Sequence, residues 1–144
     1  MYVDNELLIS DAQSVAGNGN FESTDAIDLE TARDVGTGCP LYMVAVLGGV
    51  PDQDIEVKLT SDDDGAGTGL VEHASIGSFA SGAPAGTTLC AAIPSTDGSL
   101  NEMKQFMRAR FSTTAVLTAT PIDVFFTTTP QKYKAYPKGY TITG

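Results

Sequence analysis

Apolar and polar residues alternate with a period of two along several stretches of this chain. The clearest is DIEVKLTS (54–61), where Ile55, Val57 and Leu59 alternate with Glu56, Lys58 and Thr60. Such a strand turns one side to a core and the other to water. CPLYMVAVLG (39–48) is instead continuously apolar, which predicts a central strand buried on both faces, with Leu41 to Leu47 at its heart. Weaker strand patterns lie at ELLIS (6–10), a short strand or arm, and at DAIDLE (25–30), LVEHASIGSF (70–79) and GTTLCAAIP (86–94). KQFMRARFST (104–113) and AVLTATPIDVFFTTT (115–129) complete the set, with Pro121 expected at an edge or as a break in the latter. NGN (18–20) reads as a turn. GSLNEMKQFM (98–107) alone offers a helical turn, with Ser99 placed to cap it and Glu102 three residues on.

About eight strands, separated by turn signals every 8–15 residues, predict an all-β fold with little helix. A jelly-roll-like β-sandwich is the expected form, built as a single domain over 1–144. The length and the 42% hydrophobic content suit one domain with a real core. No internal repeat or low-complexity linker divides it.

The formal net charge is −10, with a pI near 4.2. A chain this acidic repels nucleic-acid phosphates, and no run of Lys and Arg interleaved with aromatics counters the field. The charge is uneven: residues 1–102 hold 17 acids and two bases, whereas residues 103–144 hold six bases and one acid. The basic third therefore suits an acidic partner surface or an acidic face of its own neighbour. The acidic N-terminus lacks a signal-peptide pattern, and no apolar run reaches membrane-spanning length. Synthesis in the cytoplasm without membrane attachment is the expectation. Cys39 and Cys90 both adjoin apolar segments, so buried free thiols are the expectation, with a disulfide between them the alternative.

The densest candidate for chemistry is KLTSDDDGAGTGL (58–70). A calcium loop needs carboxylates at alternate positions and a glutamate at the twelfth. Asp62, Asp63 and Asp64 are consecutive and the twelfth residue is His73, so a hairpin tip is the better reading and no metal is expected. His73, the single histidine, has no GxSxG elbow to serve and reads as a surface residue. GAGTG (65–69) and GNGN (17–20) lack the long helix that phosphate loops require. Two-carboxylate glycosidase chemistry would want aromatic cleft walls, and the chain has no tryptophan. No catalytic constellation, no enzyme activity and no cofactor are expected.

Four segments in order carry a resemblance: LLISDAQSV (7–15), IDLETARDVGTGCPLYMVAVL (27–47), VKLTSDDDG (57–65) and YPKGYTI (136–142). Together they resemble the capsid cement, or decoration, proteins of tailed bacteriophages, in particular the Bordetella-phage type. The likeness runs nearly end to end but is loose over 66–130. It implies a jelly-roll sandwich on the outer surface of the virion that binds the major capsid protein and ties neighbouring capsomers together. It also implies a symmetric oligomer, a dimer or a trimer. Under that reading an N-terminal arm (1–15) and a C-terminal tail (130–144) reach neighbours. The arm offers Tyr2, Leu7, Leu8 and Ile9 as anchors, and the tail offers Tyr133, Tyr136 and Tyr140. Arg108, Arg110, Lys132, Lys134 and Lys138 supply charge. The competing expectation for both ends is ordinary edge-strand packing within one sandwich. A carbohydrate- or receptor-binding sandwich on the virion surface is the runner-up function, and a hydrolase with an unrecognised site is a third.

Overall fold

A computed structural model describes residues 7–30, 41–93 and 103–128. They form seven strands and no helix: β1 (Leu8–Glu22), β2 (Ile27–Asp28), β3 (Tyr42–Leu47), β4 (Ile55–Asp62), β5 (Val71–Phe79), β6 (Thr88–Ala92) and β7 (Phe106–Thr127). All pairings are antiparallel, in the order β5-β4-β7-β3-β6, with β1 and β2 also paired to β7. The expected all-β fold is present, as a barrel-like sandwich that closes almost completely.

β7 organises the fold because it belongs to both halves of the sandwich. Its first part, Phe106 to Ser112, pairs with β4. Its last part, Ile122 to Thr127, pairs with β3. β1 runs antiparallel beside nearly the whole of it, from Leu8 opposite Phe125 to Glu22 opposite Arg110. Between the two parts β7 bends, and its buried side chains change parity. Met107, Ala109, Phe111 and Thr113 face inward before the bend, and Thr120, Ile122, Val124 and Phe126 after it. A strand that turns a corner in this way carries one core across two half-sheets. That core joins Met43, Leu47, Ile55, Leu59, Phe79 and Phe111, each at most 1% exposed, in one cluster with Ile122 and Phe126.

β3 matches the sequence expectation closely. It lies between β7 and β6, and Met43, Val44, Ala45 and Leu47 are all buried, on both faces. β4 keeps its alternation, with Ile55, Val57 and Leu59 fully buried.

Several expectations need correction. NGN is not a turn: Asn18, Gly19 and Asn20 lie within β1. Gly17 and Gly19 have φ of 104° and 117°, and the pairing with β7 shifts register four times. Glycine at 17 is required twice over, since its φ disfavours a side chain and a Cβ would meet the Phe21 ring at 3.3 Å. These bulges let β1 follow the bend of β7. Residues 8–15 are likewise no free arm, because they open β1, with Ile9 and Val15 each 1% exposed in the core. The segments 104–113 and 115–129 fuse into the single 22-residue β7, and this fusion reduces the described strands to seven.

Pro121 does not break that strand. It sits opposite Ser14 at the end of the bend, and its carbonyl accepts the Gly48 amide at 2.8 Å. A Cβ on Gly48 would stand 3.0 Å from the proline ring, so the glycine makes room for it. Cys90 is exposed rather than buried, because its side chain lies on the outer face of β6. Cys39, residues 1–6, the helical turn up to residue 102 and the tail from 129 onward lie outside the described residues.

Candidate functional site

The acidic loop is the tip of the β4–β5 hairpin, and each aspartate in it holds something different. Asp62 closes β4 with its side chain fully buried, and its Oδ1 accepts the Gly65 amide. Asp63 Oδ2 accepts from Lys104 Nζ at 2.8 Å. Asp64 folds the tip on itself, accepting from the Ala66 and Thr68 amides at 2.9 and 3.1 Å and from the Thr68 hydroxyl at 2.6 Å. The Thr68 hydroxyl, and then the two amides, hold the Asp64 carboxyl below the usual range. The three carboxylates thus point to three different partners, as consecutive residues must.

His73 is not the surface residue its sequence context suggests. It is half-buried on β5, and its Nε2 lies 2.6 Å from Ser61 Oγ on β4. Ser61 Oγ also accepts the Lys104 amide at 3.0 Å, so the pair ties β4, β5 and the entry to β7 together. Burial pushes the His73 pKa down, which keeps the ring neutral at pH 7. A serine nucleophile needs an accessible hydroxyl and a base oriented by a third group. Ser61 is fully buried, and His73 Nδ1 has no hydrogen-bond partner among the described residues. The geometry is that of a structural tie.

The outer face of the β5-β4-β7 half carries most of the paired charge. Arg110 bonds Glu22 through Nε and Glu72 at 3.2 Å through Nη1. Lys58 bridges Glu72 at 3.3 Å and Glu56 at 3.5 Å. Burial pushes the Glu72 carboxyl up, but Lys58 and Arg110 outweigh it and hold the pKa below its ordinary value. Its bond to Glu72 likewise raises the Lys58 pKa. Arg108 Nη1 stands 3.7 Å from Asp62 Oδ2, while Arg108 Nε, Asp62 Oδ2 and Thr60 Oγ1 are buried without a hydrogen-bond partner among the described residues.

The residues singled out from sequence for contact with neighbours therefore divide. Arg108 and Arg110 lie on this charged face and are paired with acids of their own chain. Leu8 and Ile9 lie across the molecule, beside the last part of β7, with Leu7 packed against the core. The structure does not gather the two groups into one patch. Tyr2, Lys132, Tyr133, Lys134, Tyr136, Lys138 and Tyr140 lie outside the described residues.

Sequence reasoning did not single out a second surface feature. Val50, in the β3–β4 loop, and Val116, in the bend of β7, are 64% and 72% exposed. Their elements are fastened together: the Asp52 carboxylate accepts the Thr118 amide at 2.9 Å and the Thr118 hydroxyl as well. Those bonds, the hydroxyl's first, depress the Asp52 pKa. The signal in the sequence is a valine flanked by glycine and proline in VLGGVPD (46–52), which no core-facing strand needs. No protein-family model matches the chain, and no curated protein matches it.

Proposed function

We propose that the chain is a capsid cement protein. It binds the outer surface of an expanded tailed-phage head as a symmetric oligomer and holds neighbouring capsomers of the major capsid protein together. The observation that carries the reading is the ordered resemblance described above, most specifically IDLETARDVGTGCPLYMVAVL (27–47). The all-β sandwich is compatible with it. A net charge of −10 suits a protein displayed outward, where like charge keeps particles apart. Cementing is a matter of interface area, with many copies each burying a modest surface across a seam.

Lys58, Lys104, Arg108 and Arg110 face acids of their own chain. The other four bases, Arg33, Lys132, Lys134 and Lys138, lie outside the described residues, and the three lysines are our candidates for contact with an acidic capsid surface. Val50 and Val116 are the exposed large apolar side chains among the described residues. The test is co-sedimentation of the purified protein with undecorated expanded heads at rising salt. Saturable binding, lost on deleting residues 133–144, is expected. Weakening by salt assigns the contact to the lysines, since exposed charge pairs are screened beyond about 10 Å at 0.1 M. Absence of binding at every salt concentration, together with binding to a glycan array, would overturn the reading in favour of a carbohydrate-binding sandwich.

A further inference from the structure

Three polar hydrogens meet at the Ser61–His73 contact, and one arrangement of them leaves the fewest unmet. His73 is the extra residue of a bulge: Thr60 pairs with Glu72 and Leu59 with Ala74, so the ladder between β4 and β5 skips it. Its side chain turns to β4 instead, with Nε2 at 2.6 Å from Ser61 Oγ. Lys104, just before β7, is held in the same way, its amide donating to Ser61 Oγ at 3.0 Å. One fully buried hydroxyl thus fastens two residues that have no strand partner among the described residues.

The neutral ring has one hydrogen to place. Ser61 Oγ already accepts the Lys104 amide, and among the described residues Nε2 is the acceptor within reach of the hydroxyl's own hydrogen. With the ring hydrogen on Nδ1, Nε2 accepts from Ser61, and Nδ1–H alone lacks a partner among the described residues. With it on Nε2, the serine hydrogen and the Nδ1 lone pair both go unmet. Buried polar groups without partners are costly, so the first arrangement is favoured. A ring protonated at both nitrogens leaves the serine hydrogen and Nδ1–H unmet and adds a charge to a dry site. No carboxylate of the elements around it bonds the ring. Asp62 faces the Gly65 amide and Arg108, and Asp63 pairs with Lys104 Nζ. Glu56 pairs with Lys58, and Glu72 with Lys58 and Arg110. β6, on the other side of β5, brings Cys90, which is exposed. Burial is accordingly what lowers the His73 pKa.

We propose that Ser61 and His73 form a proton-operated catch: the neutral ring carries its hydrogen on Nδ1 and accepts the Ser61 hydroxyl at Nε2, and a proton taken up at Nε2 breaks that bond and frees the bulge of β5 and the Lys104 amide together. The opening is local, because Ile55, Val57 and Leu59 hold β4 in the core without the catch. The segment it loosens is the tip of the β4–β5 hairpin, which then rests on the Asp63–Lys104 ion pair. Acid therefore slackens one end of the charged half-sheet before the sandwich as a whole gives way. The catch acts whether or not the chain decorates a capsid, and it is tested without one.

Nitrogen NMR of the imidazole in the intact, labelled protein at neutral pH should show Nδ1 protonated and Nε2 as the acceptor. Amide hydrogen exchange reads the release. Between the ordinary imidazole value of 6.5 and the lower pKa of the folded ring, protection of the Lys104 amide should fall by up to about tenfold per pH unit. The Leu47 amide, bonded to the Thr87 carbonyl in the other half of the sandwich, should stay better protected throughout. Ser61→Ala should leave the Lys104 amide poorly protected at every pH and abolish this dependence. The wild-type measurements decide the matter even if that variant does not fold. A ring with its hydrogen on Nε2 at neutral pH would overturn the proposal. So would a Lys104 amide whose protection ignores the titration of the ring or equals that of Leu47, since release would then require global unfolding. An amide as well protected in Ser61→Ala as in the wild type would overturn it too.

Discussion

Gln13 holds the two halves of β1 together, and its replacement should be costly for a half-exposed polar residue. Its Nε2 donates to the Glu22 carbonyl at 2.8 Å. Its Oε1 accepts from the Thr24 amide at 2.8 Å and the Thr24 hydroxyl at 2.9 Å, with the Ser10 hydroxyl at 3.3 Å. The side chain thus bridges the start of β1 to the segment that follows its end, closing the sandwich on the side where β1 would otherwise be an open edge. Each such bond contributes roughly 0.5–1.5 kcal/mol net, and those to Thr24 are exposed to competing water, so Gln13→Ala should cost about 2 kcal/mol. At roughly 2.1 cal/mol/K per residue of unfolding entropy, that is a fall in Tm of about 7 °C. Gln13→Glu separates the parts: it keeps the acceptor for Thr24 but turns a second oxygen on the Glu22 carbonyl, and should cost about half as much or more. Urea unfolding gives the free energies, and hydrogen exchange gives the location. The amides of Thr24 and Asp25 should exchange faster in Gln13→Ala, because the second bonds Ile9 across the same seam. A loss below about 0.5 kcal/mol, or a global loss with no local change at these amides, would refute the reasoning.

Two further outcomes follow from the charged half-sheet and the half-buried histidine. Thr60 is fully buried and its hydroxyl has no hydrogen-bond partner, so Thr60→Val, which keeps the shape, should raise stability by about 1 kcal/mol in urea unfolding; a loss would mean the hydroxyl is satisfied. His73 has a folded pKa below its unfolded value, so the unfolded chain binds the proton more readily and stability must fall as pH drops through and below 6.5. His73→Asn should flatten Tm against pH between about 7.5 and 5.5, and an unchanged slope would sink this. The depressed carboxyls of Asp52, Asp64 and Glu72 act in a separate, lower window, with their contribution present above about pH 4 and lost below it.

Where local pattern and tertiary pairing agree, the sequence was a good guide. β3 is continuous in Val, Leu and Met and is buried on both faces, and β4 alternates from Ile55 to Leu59, although Thr60 and Asp62 on its other face are buried as well. Asp-Gly at 64–65 marked the hairpin tip correctly. The failures lie where β7 overrides local preference. NGN has every mark of a turn, yet its neighbours on β7 hold it in a bulged strand, and the same glycines that suggest a turn permit the bulge. Pro121 looks like a break because the room left by Gly48 and Gly49 lies 73 and 72 residues away in sequence. The Ser61–His73 tie, the Gln13 clip and the Asp52–Thr118 fastening carry no motif, since none has a fixed spacing that chemistry demands. Arg108 and Arg110 read as a surplus of positive charge in the C-terminal third. Their acids come from β1, β4 and β5, which only the fold brings near.

The central claim is that this sandwich strengthens a capsid from outside, and the heat resistance of filled heads tests it most directly. Heads stripped of the protein and heads re-decorated with it would be heated in parallel while DNA release is followed with an intercalating dye. Decorated heads should release their DNA at a higher temperature, and the gain should disappear with protein lacking residues 133–144. Equal release temperatures for bare and fully decorated heads would contradict the account.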